Sequence, residues 1–183
     1  MSKHHLLGIC GALRRASTNR KLLAEAARLF DPARFSEASL HLPLYDGDLE
    51  AADGIPDVVQ TLADQIKAAD AIVIATPEYN KALPGVLKNA LDWVSRVPGG
   101  VWQGKPVAIV SAAAGRAGGE RSQYSLRLCL TPFRARVLAG PEVMVASSAD
   151  AFDQTGRLTD DYTLKTLAEL MDALKVEIAR ARL

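Results

Sequence analysis

The chain lacks the features that mark secreted, membrane-spanning and nucleic-acid-binding proteins. It has only two cysteines, with no CxxC spacing, and no apolar run approaches the length that spans a bilayer. Lysine and arginine total 22 against 21 acidic residues, so no charge excess predicts a nucleic-acid or membrane partner. No charged segment followed by a long apolar run opens the sequence. These absences predict a cytoplasmic protein with small, diffusible ligands.

Residue patterns for metal binding and for nucleophilic catalysis are absent too. No spacing of His, Cys, Asp and Glu side chains predicts a metal site. The three histidines have no partnered nucleophile, so we predict no Ser/His/Asp set and assign no catalytic residue. Four carboxylates are expected to be solvated surface groups, namely Glu25, Glu37, Asp46 and Asp48.

What the chain does contain is a series of apolar, strand-length runs that alternate with helical patterns. Its 183 residues, 49% of them hydrophobic, suffice for one domain over 1–183 with a substantial core. Strands separated by helices favour right-handed crossovers and a parallel sheet covered on both faces, which is a three-layer α/β domain. A run that contains Pro43 is expected at the sheet edge. The five predicted strands lie at 6–10, 38–44, 71–75, 107–112 and 143–146.

Three irregular loops each follow the carboxyl end of a predicted strand. They span residues 11–17, 76–84 and 112–119. Because ligands bind at that edge of open parallel sheets, we expect the three loops to form one site.

The first loop has the composition of a phosphate-binding turn at a helix N-terminus. Gly11 lets the chain turn closely after the strand, and a helical pattern follows the loop. Unpaired N–H groups and the helix dipole at such a position favour an anion. The spacing is neither GxxxxGK[ST] nor GxGxxG, which points to a mononucleotide. Charge and further donors come from Arg14, Arg15, Ser17, Thr18 and Asn19.

Each loop also has an ordinary structural interpretation. The sequence of the first loop is also compatible with a simple tight turn in which Ser17 or Thr18 is the helix N-cap. Capping alone, however, does not require two arginines and an asparagine. In the second, Pro77 and Pro84 stiffen the backbone and Tyr79 offers a flat ring, but a surface aromatic between loop prolines also fits. The third is rich in alanine and glycine, which suits close backbone approach to a ligand or a mobile surface turn.

Three segments carry motifs that are specific in combination. They are GALRRASTN at 11–19, TPEYNKALPGVLKNALDW at 76–93 and GKPVAIVSAAAGRAGGERSQYSLR at 104–127. Together they resemble the NADPH-dependent FMN reductase family, which includes bacterial quinone and chromate reductases, over residues 6 to about 146. The resemblance implies a flavodoxin-like fold with strand order 2-1-3-4-5, FMN as cofactor and NADPH or NADH as co-substrate.

The same resemblance implies FMN contacts from all three loops. The FMN phosphate would be bound, together with the loop backbone, by Arg14, Ser17 and Asn19. The isoalloxazine ring would be bordered, largely through main-chain groups, by Pro77, Glu78, Tyr79 and Asn80. Its pyrimidine side would be approached by Ser111 and Gly115.

Ala12 departs from the family pattern, because many relatives have serine there. One hydroxyl donor to the phosphate is lost, and a hydrogen bond to a charged group contributes up to about 3 kcal/mol. We therefore expect weaker FMN binding, with the remaining donors maintaining the site.

A ping-pong reaction is the function that the resemblance implies. Reduced nicotinamide passes a hydride to FMN and leaves, and an electron acceptor then takes its place on the same face. Quinones are the expected acceptors, with azo dyes, nitroaromatics, chromate or free flavin as further candidates. The alternative is a flavodoxin-like electron carrier that docks protein partners, although the near-neutral charge argues against an acidic docking face. A signalling receiver would need an acidic cluster where the chain has Gly11, Ala12 and Leu13.

Family members are commonly dimers or tetramers, so we expect a homodimer or homotetramer. The apolar interface would come from the helix after Pro84 with Trp93, together with Trp102. A polar link, between subunits or within one, would join Arg121, Tyr124 and Glu142.

The sequence leaves the choice between NADPH and NADH open. Arg15 and Arg116 are both candidates to meet the 2′-phosphate that distinguishes NADPH. Each is equally compatible with a solvated surface position.

Overall fold

A parallel sheet of six strands forms the centre of the molecule, in a computed structural model that describes residues 3–181. Its strands are β1 (His5–Cys10), β2 (Arg34–Ala38), β3 (Ala71–Ala75), β4 (Pro106–Ala112), β5 (Arg136–Val137) and β6 (Val143–Val145). The helices are α1 (Thr18–Phe30), α2 (Gly47–Asp53), α3 (Asp57–Ala68), α4 (Gly85–Arg96), α5 (Glu120–Leu130) and α6 (Asp161–Ala181), with a 3₁₀ turn at Thr131–Phe133. The strands pair in the order β2-β1-β3-β4-β5, and β6 also pairs with β4. This order confirms the predicted three-layer, flavodoxin-like α/β fold.

Helices cover the sheet on both faces, which is why its central strands are mostly apolar. One face packs against α1 and α6, and the other packs against α3, α4 and α5. Every residue of β3 is completely buried, as is typical of parallel sheets in α/β domains. None of the helices within residues 3–181 is both long enough and apolar enough to cross a membrane.

The central strands end together at one edge of the sheet. Cys10 of β1 pairs with Ala75 of β3, and Ala75 pairs with Val110 of β4. The loops that follow these three strands therefore leave the sheet side by side.

The edge strand lies earlier in the chain than predicted. We predict it at 38–44, but β2 ends at Ala38 and the following residues form a loop. Leucines occupy every second position of this loop, at Leu40, Leu42 and Leu44, but the loop does not pair with a strand. Leu44 is 82% exposed. The carbonyl of Pro43 accepts a hydrogen bond from Trp93 Nε1 at 2.8 Å, so the segment leaves the sheet to lie against α4.

The last strand is split into two short pieces. The run predicted at 143–146 corresponds to β6, but β5 precedes it and also pairs with β4. Pro141, which has no N–H to donate to a strand ladder, lies between the two pieces. A two-residue strand leaves no periodic pattern, so the sequence does not predict β5.

Both tryptophans belong to the core of the protomer. Trp93 is completely buried and Trp102 is 3% exposed. The ring of Trp93 also meets Tyr45 edge-on, with ring centroids 5.0 Å apart. Trp93 therefore has no surface to offer a subunit interface, and that part of the expectation is wrong. The expectation for Trp102, which lines a groove beside α4, stays a prediction.

Glu25 is buried rather than solvated, so the expectation for this carboxylate is wrong. It is 2% exposed, and its Oε1 accepts hydrogen bonds from Arg28 Nε at 3.0 Å and Arg157 Nη1 at 2.9 Å. Two guanidinium groups compensate for the hydration that this carboxylate loses. Glu37 is half-buried and forms an ion pair with Arg20. The carboxylates that are exposed as expected are Asp46 and Asp48.

Candidate functional site

The first and second loops pack directly against each other at the carboxyl edge of the sheet. The N–H of Gly11 donates to the carbonyl of Ala75 at 2.8 Å. A Cβ atom at Gly11 would lie 3.1 Å from Pro77 Cδ and 3.3 Å from Pro84 Cγ. Such contacts are tighter than ordinary packing, so glycine is what lets the two loops approach this closely.

The first loop presents unpaired hydrogen-bond donors at the N-terminus of α1. Within residues 3–181, the backbone N–H groups of residues 13–16 and of Thr18 have no acceptor. The side chains of Arg14 and Arg15 are exposed beside them, and the positive end of the α1 dipole lies at the same place. Several N–H donors combined with positive charge fit a phosphate group.

Three polar side chains fix the start of α1. Ser17 is the N-cap, as the ordinary interpretation predicts, because its Oγ accepts a hydrogen bond from Asn19 N at 3.2 Å. Asn19 is buried; its Nδ2 donates to Ala112 O at 2.7 Å, and its Oδ1 accepts from Ala112 N at 3.0 Å. Thr18 Oγ1 donates to Ser148 Oγ at 3.3 Å. Direct phosphate binding by these side chains stays a prediction, and each has a structural contact besides.

The second loop contains a tight turn that exposes Tyr79 and Asn80. Tyr79 and Ala82 exchange backbone hydrogen bonds of 3.1 and 3.2 Å. Asn80 and Lys81 adopt left-handed backbone conformations with φ of 50° and 66°, which is the geometry of a two-residue hairpin turn. Tyr79 is 53% exposed, so its ring is accessible, whereas Pro77 is buried at the base of the loop.

The residues predicted for a polar link between subunits have partners inside the protomer. Arg121 N donates to Glu78 Oε2 at 3.1 Å, which places a carboxylate at the N-terminus of α5 and joins the second loop to that helix. The negative charge of Glu142 raises the pKa of the Tyr124 hydroxyl, which also forms a hydrogen bond with that carboxylate. The contact between Tyr124 and Glu142 corresponds to the intramolecular alternative, whereas Arg121 uses only its backbone N–H here, so the part of its side chain in such a link stays a prediction.

Ser111 and two glycines shape the third loop from inside. Ser111 is completely buried, and its Oγ donates to Gly118 O at 2.7 Å. A Cβ atom would lie 2.6 Å from the carbonyl carbon of Met144 at Gly118, and 2.9 Å from Ser111 Cβ at Gly119. Because the Ser111 side chain does not reach the surface, contact with a ligand here falls to exposed backbone such as Gly115.

A buried polar cluster beneath the third loop is not apparent from the sequence. Gln123 Nε2 donates to Ser111 Oγ at 2.9 Å and to Val143 O at 2.8 Å, and the hydroxyls of Thr76 and Ser122 lie 2.7 Å apart. Within residues 3–181, Gln123 Oε1 has no hydrogen-bond partner. The cluster ties the starts of the second and third loops to α5. Its one sequence signal is a pair of polar residues on the apolar face of that helix.

Cys10 lies at the end of β1, directly before the first loop. Burial raises the pKa of its thiol, so the side chain stays protonated and weakly nucleophilic at neutral pH. Across residues 3–181, no three His, Cys, Asp or Glu side chains are arranged to hold a metal ion.

The donor set and the spacing of the loops fit FMN. The loops follow β1, β3 and β4, which are neighbours in the sheet. With strands about 4.8 Å apart, the first and third loops are separated by about 10 Å. A phosphate at the first loop can therefore be connected through a ribityl chain to a planar ring between the second and third loops. The Ala12 side chain is buried in the core. The weaker FMN binding that we expect from alanine in place of serine at this position stays a prediction.

Comparison with known proteins identifies the family. A family model described as NADPH-dependent FMN reductase matches residues 5–150. The NAD(P)H-dependent FMN reductase of Pseudomonas aeruginosa is 44% identical, over 97% of this chain and 96% of that protein. The quinone reductase of Escherichia coli K12 is 39% identical, over 99% of this chain and 98% of that protein.

Solved structures show the same relationship. FerB, a flavoenzyme NAD(P)H:(acceptor) oxidoreductase from Paracoccus denitrificans, superposes with a TM-score of 0.86 at 32% identity, covering 97% of this chain and 98% of that one. The match therefore includes the sheet, both helical layers and the loops at the carboxyl edge. On sequence and fold together, the chain belongs to the NADPH-dependent FMN reductase family.

Proposed function

We propose that the protein is an NAD(P)H-dependent oxidoreductase that binds FMN and reduces quinones or similar acceptors. The observation that carries this proposal is the set of unpaired N–H donors at residues 13–16 and Thr18, at the edge where all three loops meet. Relatives that align with almost the whole chain are named as an FMN reductase and a quinone reductase, which supports the same activity.

We assign the FMN phosphate to the first loop. Arg14 supplies positive charge at its exposed side, and the unpaired backbone N–H groups supply directional hydrogen bonds. Ser17 keeps the turn in shape as N-cap, and Asn19 fixes it to Ala112 at the end of β4. This preorganisation lets the donors face the phosphate without first rearranging.

The isoalloxazine ring is assigned to the gap between the second and third loops. Glu78 is engaged with α5, so we expect its backbone rather than its carboxylate to border the ring. Tyr79 and Asn80 sit on the rigid turn beside it, with the Tyr79 ring open to solvent. Gly115 leaves open space at its Cα, which suits close approach of the ring edge.

Bound FMN supplies hydride and electron transfer between a reduced nicotinamide and the acceptor. The protein holds the phosphate, orients the ring and leaves one face open to both substrates. NAD(P)H and the acceptor must then occupy the same position in turn, which predicts ping-pong kinetics. An open face also discriminates weakly, so we expect azo dyes, nitroaromatics, chromate and free flavin to act beside quinones.

Purified protein tests this proposal directly. The released flavin is identified by chromatography, and initial rates of NADH and NADPH oxidation are measured against several quinone concentrations. We expect FMN in the protein and parallel lines in double-reciprocal plots. Intersecting lines would contradict the ping-pong order, and an FMN-loaded protein inert to both nicotinamides would favour an electron carrier.

We also propose that the protein forms a homodimer or homotetramer through the surface between α4 and α5. A cavity of about 740 Å³ lies there, with Leu91, Leu128 and Phe133 in its lining. Leu128 is 74% exposed at this groove, so its side chain offers apolar surface that a second copy of the chain could cover. Sedimentation velocity should show an oligomer for the wild type and a smaller species for Leu128→Glu. A wild-type monomer at micromolar concentration would contradict self-association.

A cytoplasmic location completes the proposal. Both cysteines, Cys10 and Cys129, are free thiols, as is typical of proteins in reducing compartments. Cell fractionation should recover the protein with cytoplasmic markers, and recovery with periplasmic markers would contradict this.

A further inference from the structure

A second cavity opens beside the first loop, above the carboxyl ends of β1 and β2. Its volume is about 480 Å³, and its wall includes Arg15, Arg20, Glu37 and His41. Arg15 lines this cavity, whereas its neighbour Arg14 does not. Of the two adjacent arginines of the first loop, only Arg15 is therefore placed to contact a ligand in this cavity.

This cavity is separate from the gap that we assign to the FMN ring. The ring is assigned to the loops after β3 and β4, whereas the cavity lies on the opposite side of β1, towards β2. Gly11 closes the side towards β3, because it packs against Pro77 and Pro84. The FMN ring therefore leaves this cavity accessible, and the FMN phosphate would lie on the first loop, which forms one wall of the cavity.

Positive charge prevails in the wall of the cavity. Arg20 Nη1 lies 2.5 Å from Glu37 Oε1, so these two charges compensate each other. Arg15 is exposed and, within residues 3–181, has no ion-pair partner. His41 adds a ring nitrogen that can donate a hydrogen bond. The cavity therefore suits an anionic group next to Arg15.

The cavity also has an apolar side. Leu40 is buried beneath it, and Leu13 is 39% exposed at its rim. An aromatic base can lie on such a surface while an attached phosphate meets the arginine. The volume is of the size that binds small molecules, which is about 300–1,000 Å³.

We propose that this cavity binds the adenosine 2′-phosphate end of NADPH and so favours NADPH over NADH. In dinucleotide-binding doubly wound folds, an acidic residue beyond the first turn contacts the NAD ribose, and a nearby arginine accommodates the 2′-phosphate of NADP. Glu37 and Arg15 stand in comparable places here, with Glu37 neutralised by Arg20.

The distance between the two sites suits a dinucleotide. The distance between the midline of the β1–β2 pair and the midline of the β3–β4 pair is two strand spacings, or about 10 Å. NADPH can therefore place its nicotinamide over the ring while its adenosine reaches the cavity. This inference rests on the proposed function, since it concerns the second end of the same co-substrate.

Calorimetric titration of FMN-loaded protein with 2′,5′-ADP and with 5′-ADP tests the cavity without turnover. We expect 2′,5′-ADP to bind about tenfold tighter or more, and Arg15→Ala to abolish that difference. In steady-state assays with saturating FMN, Arg15→Ala should raise KM for NADPH about tenfold more than it raises KM for NADH. Arg34→Ala removes an exposed arginine at the other end of β2 and should change none of these values.

Several results would overturn the assignment. These are equal affinities of the wild type for the two nucleotides, an undiminished preference in Arg15→Ala, or loss of the preference in Arg116→Ala instead. Release of FMN by 2′,5′-ADP would also overturn it, because that would place the nucleotide on the first loop's phosphate site. A protein that oxidises neither nicotinamide would refute the proposed function, whereas the titration would still report on the cavity.

Discussion

Arg14 is the residue whose side chain we expect to contribute most to holding the FMN phosphate. It is exposed at the first loop, so its removal leaves the core unchanged. Arg14→Ala should raise the Kd for FMN about 10- to 100-fold, because hydrogen bonds to charged groups contribute about 1.5–3 kcal/mol. Quenching of flavin fluorescence measures this Kd, with Arg34→Ala as the control that removes an equal charge elsewhere. An unchanged Kd would remove Arg14 from the phosphate site.

Gly118 is the residue at which a single methyl group should be most disruptive. Its φ is +58°, and a Cβ atom would lie 2.6 Å from the backbone of Met144. Gly118→Ala should lower the free energy of unfolding by about 1–3 kcal/mol, through backbone strain and displacement of the third loop. Urea denaturation measures this change. Gly115→Ala is the matched control, since its Cβ would meet open space, and equal losses in both variants would contradict the packing argument.

At the scale of secondary-structure elements, α6 is anchored by the residue that precedes it. Asp160 Oδ2 accepts hydrogen bonds from Thr163 N at 2.7 Å and Thr163 Oγ1 at 2.6 Å, and these bonds lower the pKa of Asp160 below its usual 3.8. A lowered carboxyl pKa stabilises the folded state at neutral pH, and this contribution disappears as the pH falls through the lowered pKa.

Comparison of wild type with Asp160→Asn tests this anchor, because asparagine also caps helices but does not titrate. We expect the wild type to be the more stable protein at pH 7 and its advantage to shrink on acidification below about pH 4. Thermal unfolding at a series of pH values measures the difference. An advantage that grows on acidification would contradict the proposed sign.

The ion-pair triad around Glu25 connects α1 to the segment between β6 and α6. Removing both Arg28 and Arg157 by alanine substitution leaves a buried carboxylate without compensation, which should cost about 3–5 kcal/mol of stability. Adding Glu25→Gln to that double variant should restore part of the loss, because it removes the uncompensated charge. Urea denaturation of the wild type, the double variant and the triple variant measures these differences in the free energy of unfolding. A triple variant less stable than the double variant would contradict this account.

At the scale of the whole molecule, the predicted features are those that leave a local pattern. Buried parallel strands are continuous apolar runs, so the sequence predicts β1, β3, β4 and β6, and with them the edge where the loops meet. The order 2-1-3-4-5 comes from the family resemblance, because apolar runs alone do not specify which strands are neighbours.

Features that depend on contacts between distant residues could not be predicted. Glu25 and Arg157 are separated by 132 positions, so no residue close to Glu25 in the sequence indicates this second partner. The contact of Asn19 with Ala112, 93 positions away, is equally impossible to see in the sequence. The role of Gln123 cannot be predicted for the same reason, since its amide in α5 reaches the carbonyl of Val143 in β6.

The central claim is that the first loop holds FMN by its phosphate, and parallel titrations of flavin-free protein with FMN and with riboflavin test it most directly. The two ligands share the ring and the ribityl chain and differ only in the phosphate. Two or more charge-assisted hydrogen bonds predict that FMN binds at least about 100-fold more tightly than riboflavin. Equal affinities for the two flavins would contradict the account.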